Sequence, residues 1–320
     1  FGISTLRACA ERGYRDAQVL LGNLLVSGEM IADAPAHNST VVSGNIVEVT
    51  PLKTSKKDAK KAMVEEGIQW YKKAAAEGDA NAWYNLGSLH FEGRVVEQGV
   101  QLAPDASKYW RCMGRAAALG DASAQYLVGA SLVAGEVSLS ELAEHGEEAH
   151  RGSEHSEAEQ GLGLVNSAAQ QDHPQALYWM AMFYRQQGQE SEMRSNLEGA
   201  AALGDAEANF CLGDMCYHGT DGFVVDHRRA FSFFLAAALS RHPLALCSVG
   251  AMYYQGLGVS RDLHKSFKAY QIAAEEGSAE AMRNLAAMHY SGEGCEQSEA
   301  AARYMLRVAK EAEESAADSK

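Results

Sequence analysis

No apolar run in the chain reaches the length of a membrane span, and nothing in it reads as a signal peptide. Proline is scarce, with 5 in 320 residues, and hydrophobic residues make up 47%, which excludes a chain disordered throughout. Basic charge is short as well. Lys and Arg number 28 against 42 Asp and Glu, a formal net charge of −14. That balance disfavours nonspecific binding to nucleic acid or to an anionic membrane, which needs a basic footprint. The local basic run 53–61 reads as the solvated start of a helix. There is no His-Glu-x-x-His, Walker loop, dinucleotide fingerprint or nucleophile elbow, so no catalytic residue, no cofactor and no enzyme is expected.

Candidate metal ligands are equally thin. The six cysteines, Cys9, Cys112, Cys211, Cys216, Cys247 and Cys295, are scattered. Cys211 and Cys216 are five apart on one helix and diverge around it, so they do not bridge easily. Unpaired thiols favour a reducing compartment, cytosol or organelle, or buried structural cysteines. Zinc on Cys211, Cys216 and His218 lacks the usual ligand spacing. His145, His150 and His155 recur every five residues, which does not place them on one helical face, and they read as a solvated charged loop. The chain begins at Phe1, in what reads as the first helix of a repeat, so upstream anchors or targeting signals remain open.

What the chain has is a repeat. Taking the first residue of each Ala-Ala-type pair as origin gives seven copies: Cys9, Ala74, Ala116, Ala168, Ala200, Ala237 and Ala273. Eight residues on, every copy carries alanine: Ala17, Ala82, Ala124, Ala176, Ala208, Ala245 and Ala281. Thirteen on stand Gly22, Gly87, Gly129, Ala181, Gly213, Gly250 and Ala286. Nineteen on, all are glycine (Gly28, Gly93, Gly135, Gly219, Gly256, Gly292) except Gln187. Three before each origin lies a large apolar group: Leu6, Tyr71, Met113, Val165, Leu197, Phe234 or Tyr270. Self-similarity at this period predicts an all-α, right-handed solenoid of about seven helix-turn-helix units.

Local signals place the helices. Asp262 reads as the N-cap of the first helix of the last full copy, with Asp105 and Asp226 in the same place in theirs. Gly277 suits the C′ position, as do Gly13, Gly78, Gly120 and Gly204, whereas Asp172 and Arg241 depart from the pattern. The small residues at offsets eight and thirteen leave one flank of the second helix bare, so a neighbouring helix can come close. Glycine inside a helix costs roughly 1 kcal/mol against alanine, and close packing supplies the compensation.

The pattern resembles the Sel-one-like repeat (SLR) family, a relative of the tetratricopeptide repeats. Its best copy here is Tyr253-Tyr254-Gln255-Gly256-Leu257-Gly258-Val259-Ser260-Arg261-Asp262, followed by Ala273-Ala274-Glu275-Glu276-Gly277 and Asn284-Leu285-Ala286. The resemblance implies one solenoid over 1–314, with insertions at about 30–57 and 136–160 as loops and 315–320 as an acidic flexible tail. A terminal helix is expected near 298–312.

It also implies a non-enzymatic scaffold or adaptor whose partners are other proteins, subunits of a larger assembly. Neither nucleic acid nor direct membrane insertion is expected. In related arrays the first helix of each pair lines the concave face, which makes Lys108, Arg111, Arg115, Arg228, Arg229, Lys265 and Lys268 the expected contacts, suited to acidic segments or C-terminal carboxylates. Two alternatives stand beside this. The run Asn284-Leu285-Ala286-Ala287-Met288-His289-Tyr290-Ser291-Gly292-Glu293-Gly294 looks like late repeats of the lumenal subunit of ER-associated degradation ubiquitin ligases, and Asn38-Ser39-Thr40 is a formal N-glycosylation acceptor. A hydrolase like the β-lactam-binding bacterial members would need a catalytic dyad that the sequence does not offer.

Overall fold

The computed structural model describes residues 3–27, 56–93, 96–97, 100–101, 104–142 and 156–318. These hold sixteen helices: α1 Ile3–Glu11, α2 Arg15–Ser27, α3 Lys56–Ala76, α4 Ala80–Phe91, α5 Ala106–Ala118, α6 Ala122–Ala134, α7 Leu139–Leu142 and α8 Glu157–Ala169, then α9 Pro174–Gln186, α10 Glu190–Ala202, α11 Ala206–His218, α12 His227–Leu239, α13 Pro243–Gln255, α14 Leu263–Glu275, α15 Ala279–Ser291 and α16 Glu299–Asp318. A small antiparallel hairpin of β1 Val96–Glu97 and β2 Val100–Gln101 sits between α4 and α5. The chain divides into two compact units, Phe1–Ala168 and Ala169–Lys320, the first holding α1 to α8 and the second α9 to α16. Within each, successive antiparallel helices stack as an all-α solenoid.

Capping explains where these helices begin. Asp105, Asp226 and Asp262 cap the first helices α5, α12 and α14, their carboxylates accepting backbone N–H groups of the first turn. The second helices are capped just as regularly, at a position not expected from the sequence. Asp79, Asp121, His173, Asp205, His242 and Ser278 each accept the N–H of the alanine at offset eight. That alanine is wholly buried at Ala82, Ala124, Ala176, Ala208, Ala245 and Ala281, and Ala17 is the half-buried exception. The next residue adds a second tie in three repeats, where a buried amide reaches back to the preceding helix. The side-chain N–H groups of Gln18, Gln125 and Asn209 donate to the carbonyls of Ala10, Ala117 and Ala201. Asp172 and Arg241, which break the glycine pattern, adopt φ of 57° and 58° without it.

Offset thirteen accounts for the stacking. A Cβ added to Gly22 would lie 2.6 Å from the ring of Tyr71, one on Gly87 2.6 Å from Met113 Cε, and one on Gly213 2.6 Å from the ring of Phe234. Gly250 meets Tyr270 at 2.8 Å in the same way. Each large group is the residue three before the origin of the following repeat. The glycine is therefore a hole for the next first helix's knob, and α2–α3, α4–α5, α11–α12 and α13–α14 are locked by it. At α6–α8 the approach is backbone to backbone, with Gly129 against Gly161 and Val165.

Several boundaries differ from expectation. α16 continues to Asp318, past the tail expected from 315, because Arg307–Glu311 and Lys310–Glu314 ion pairs and the alanines around them sustain the helix. The 136–160 insertion is ordered at both ends: α7 packs Leu142 on Gly114 of α5, Val137 is buried, and α8 begins at Glu157. Of the 30–57 insertion only 56–57 are described, within α3; Asn38, His145, His150 and His155 lie outside the described residues.

Replacing Gly250 with Leu should cost about 1–3 kcal/mol by overpacking Tyr270, read in urea melts. Gly163→Ala is the control. Nothing lies within 4 Å of its added Cβ, so this variant should gain up to about 1 kcal/mol. A Gly250→Leu protein as stable as the parent would refute the knob-and-hole account. His242→Ala should lose about 1 kcal/mol through its cap, while His242→Asp, which keeps an acceptor there, should lose distinctly less in the same melts.

Candidate functional site

The expected contact residues are first-helix cations, and the structure separates them by burial. On α5, Lys108 is half-buried and paired with Asp105 at 3.6 Å. Arg111 and Arg115, further along the same helix, are also half-buried, so less of each is available for the contacts expected of them. In the second unit the basic residues are open. Arg228 and Arg229 stand exposed at the start of α12, their backbone N–H groups both donating to Asp226 Oδ1 at 3.0 Å. The Arg229 guanidinium lies over the Phe233 ring at 5.8 Å. Lys265 pairs with Asp262 at 3.5 Å and sits 5.4 Å over Tyr253, and Lys268 is exposed on the next turn.

These two groups belong to neighbouring parts of one surface. Gly258, in the turn before α14, has room only for hydrogen, since a Cβ there would lie 2.1 Å from the carbonyl oxygen of His227. The α13–α14 turn is thus seated on the first residues of α12. Gly294 repeats the arrangement, since a Cβ there would run into the carbonyl oxygen of Leu263, and this seats the next turn on the start of α14. Among the described residues, Arg228, Arg229 and Lys268 have no ion-pair partner. The backbone N–H of Lys265 holds the Asp262 carboxyl below the usual carboxylate range, as that of Lys108 does for Asp105. The capping charges therefore remain in place at neutral pH and offset only the lysine beside each.

Other candidates do not assemble. Among the described residues no group of His, Cys, Asp and Glu is arranged to hold a metal ion. Cys211 Sγ instead lies 3.7 Å from the Tyr178 hydroxyl, and His218 pairs with Asp214 at 3.4 Å. All six cysteines are free thiols. Burial pushes the thiols of Cys211, Cys216 and Cys247 upward, which leaves them protonated and weakly nucleophilic. No described helix is long and apolar enough to cross a membrane.

The Sel1 repeat family model matches residues 64–79, 80–121, 156–187, 206–242, 243–278 and 279–313, well over half the chain. The chain belongs to the Sel1 repeat family. Four of these matches, 80–121, 206–242, 243–278 and 279–313, each span a second helix and the first helix that follows it, so they enclose an interface that offset thirteen governs. Sel1 repeats generally serve as protein-interaction scaffolds, typically without catalysis.

Two solved structures share the fold. One is a Sel1 repeat protein from Oxalobacter formigenes, with TM-score 0.60 and 22% identity over 78% of this chain and 94% of that one. The other is c5321, a protective antigen of uropathogenic Escherichia coli with an SLR fold, at TM-score 0.59 and 24% identity over 76% of this chain. The match spans 48% of the E. coli chain, about half its length. No curated protein sequence matches.

The buried thiols give a direct test of the site's chemistry. Cys216 and Cys247 should resist alkylation by iodoacetamide at pH 8 in the native chain and label fully once it is unfolded in guanidinium. Rapid native labelling of either would contradict their enclosure between the helices.

Proposed function

We propose that this Sel1-repeat chain is a non-enzymatic adaptor that docks acidic segments of partner proteins on the first helices of its second unit. The observation carrying this is the exposed, unneutralised trio Arg228, Arg229 and Lys268, beside Lys265, in a chain of net charge −14. Stability does not account for them. Arg228, Arg229 and Lys265 occupy the first turns of α12 and α14, where the helix dipole disfavours cations. A partner carboxylate there would gain both the side-chain charge and the dipole. Lys108, Arg111 and Arg115 form the corresponding set in the first unit, with less exposed surface to offer.

The test is cross-linking capture of the tagged chain from its native cells. The combined variant Arg228→Glu, Arg229→Glu, Lys268→Glu should lose its acidic partners, while each exposed substitution shifts stability by no more than about 0.5 kcal/mol. Capture by the parent should weaken as salt rises. An identical partner set from parent and variant would remove these helices from the reading.

A second reading, a lumenal subunit recruiting glycoproteins for ER-associated degradation, draws support from the Asn38 acceptor and from the run 284–294. A glycosidase-sensitive mass shift on Asn38 in protein from native cells would favour it, and an unmodified Asn38 would count against it.

A further inference from the structure

Packing uses one face of α12 and leaves the opposite one bare. Ala230, Phe234 and Ala237 are buried. Across the helix from them run Arg228, Ser232, Leu235 and Leu239, all four exposed. Leu235 is 39% exposed and Leu239 82%. Their spacing of four, three and four residues is that of a coiled-coil seam, so the row follows a single line along the helix surface.

The repeat does not call for leucine at either place. α10 and α14 share the register of α12, and so does α16, since Ser298 caps it as Asp262 caps α14. At the position of Leu235 these helices carry Glu198, Gln271 and Arg307, and at that of Leu239 they carry Ala202, Glu275 and Glu311. Three other helices of the same unit and register therefore fold with a polar or small residue where α12 exposes leucine. A single exposed apolar residue needs no explanation, but two on successive turns of one seam form a strip. α14 widens it. This helix lies beside α12, with Ala269 in the core cluster of Ala230 and Phe234, and its Ile272 is 37% exposed, in register one residue beyond Leu235.

The strip and the cations occupy opposite ends of the same two helices. At about 1.5 Å per residue, Leu235 and Leu239 lie about 10 and 16 Å along the axis from Arg228. Ser232 stands between them, and its small side chain lets another helix come close. Arg228, Arg229 and Lys268 have no ion-pair partner among the described residues, so the basic end favours carboxylates. At the apolar end Glu275 and Glu276 share the single Arg241, which leaves that end unfavourable to a further negative charge. The surface thus has a direction. A second copy of α12 does not match it. Laid alongside in the same sense it would set Arg228 against Arg228, and in the opposite sense it would set Arg228 against Leu239.

We propose that α12 and α14 dock an amphipathic helix of a partner protein, with its carboxylates on Arg228, Arg229 and Lys268 and its aliphatic side chains on Leu235, Leu239 and Ile272. The inference rests on the adaptor reading and deepens it, from an acidic segment of any kind to a helix whose acidic end is followed by an apolar seam.

The probe is a pair of dye-labelled peptides of about 20 residues, long enough to hold a helix. Each is built on alanine and glutamine, with glutamates in one terminal turn and two leucines placed from them as Leu235 and Leu239 are from Arg228. The glutamates stand at the N-terminus of one peptide and at the C-terminus of the other, so both directions along α12 are sampled. Titrated into the full chain by fluorescence anisotropy, one of them should bind with Kd below about 1 mM. Leu235→Gln combined with Leu239→Gln should weaken it at least about tenfold. Both side chains are exposed, so this variant should melt where the parent does. The combined variant Arg228→Glu, Arg229→Glu, Lys268→Glu should weaken binding as much, and so should glutamine in place of the peptide's leucines.

Absence of binding by both peptides would overturn the proposal. So would equal binding to the parent and to the leucine variant. If a leucine-free peptide binds as tightly, and only the charge variant releases it, the apolar strip fails and the adaptor reading stands. Peptide binding unchanged in the charge variant, together with an unchanged set of cross-linked partners, would overturn both.

Discussion

How closely a second helix can approach the first helix of the next repeat is the constraint on which the rest of this protein depends. Five of the seven copies meet it with a mid-helix glycine, and four of those glycines receive a large side chain from the following repeat. Helix propensity alone disfavours glycine at such a position by roughly 1 kcal/mol, so the residue is tolerated there only because the knob needs the hole. Gly22, Gly87, Gly213 and Gly250 and their partners Tyr71, Met113, Phe234 and Tyr270 are thus half-interactions that acquire meaning in pairs. The turns obey the same demand for proximity, with Gly258 and Gly294 pressed on the carbonyls of His227 and Leu263.

Capping sets the angle at which the paired helices enter. Aspartate, histidine or serine at the start of every second helix from α4 on holds the N–H of the buried alanine, and in three repeats the amide that follows this alanine ties the helix back to the one before it. His242 makes contacts beyond its cap. Its Nδ1 accepts from Ala245 while Nε2 reaches Glu207 at 3.1 Å and the ring stacks on Phe210. With the interior so determined, the outward residues are the ones that packing leaves free. The cations of α12 and α14 belong to that outward set, and their place at helix N-termini makes them a charge arrangement that folding did not require.

Much of this was legible in the chain. The offsets gave the family, the buried alanines, the glycine holes and the aspartate caps of α5, α12 and α14, because each depends on residues close together in sequence. The caps of the second helices were equally written there, at Asp79, Asp121, Asp205 and Ser278, three residues before the alanine at offset eight, although the expected caps were those of first helices alone. The length of α16 was missed because an acidic, alanine-rich segment is ambiguous between a frayed end and a helix held by ion pairs four residues apart. Exposure of the candidate contacts was not legible either. Arg111 and Arg228 look alike as first-helix arginines, yet one is half-buried and the other open, since that depends on what neighbouring elements lay over them.

The sequence by itself determined that the chain is a Sel1-type helical repeat and which positions face inward, since both follow from small residues recurring at fixed spacing. Only the tertiary structure decided which of the equivalent side chains are covered. Ala181 with Leu197 and Ala286 with Leu306 are the same pair in the same register, yet Leu197 is buried and Leu306 is 52% exposed. Leu197 is also covered by Ala208 and Leu212 of α11, whereas no described helix follows α16. Burial is the sum of what several neighbouring helices bring to a side chain, and no single position records it.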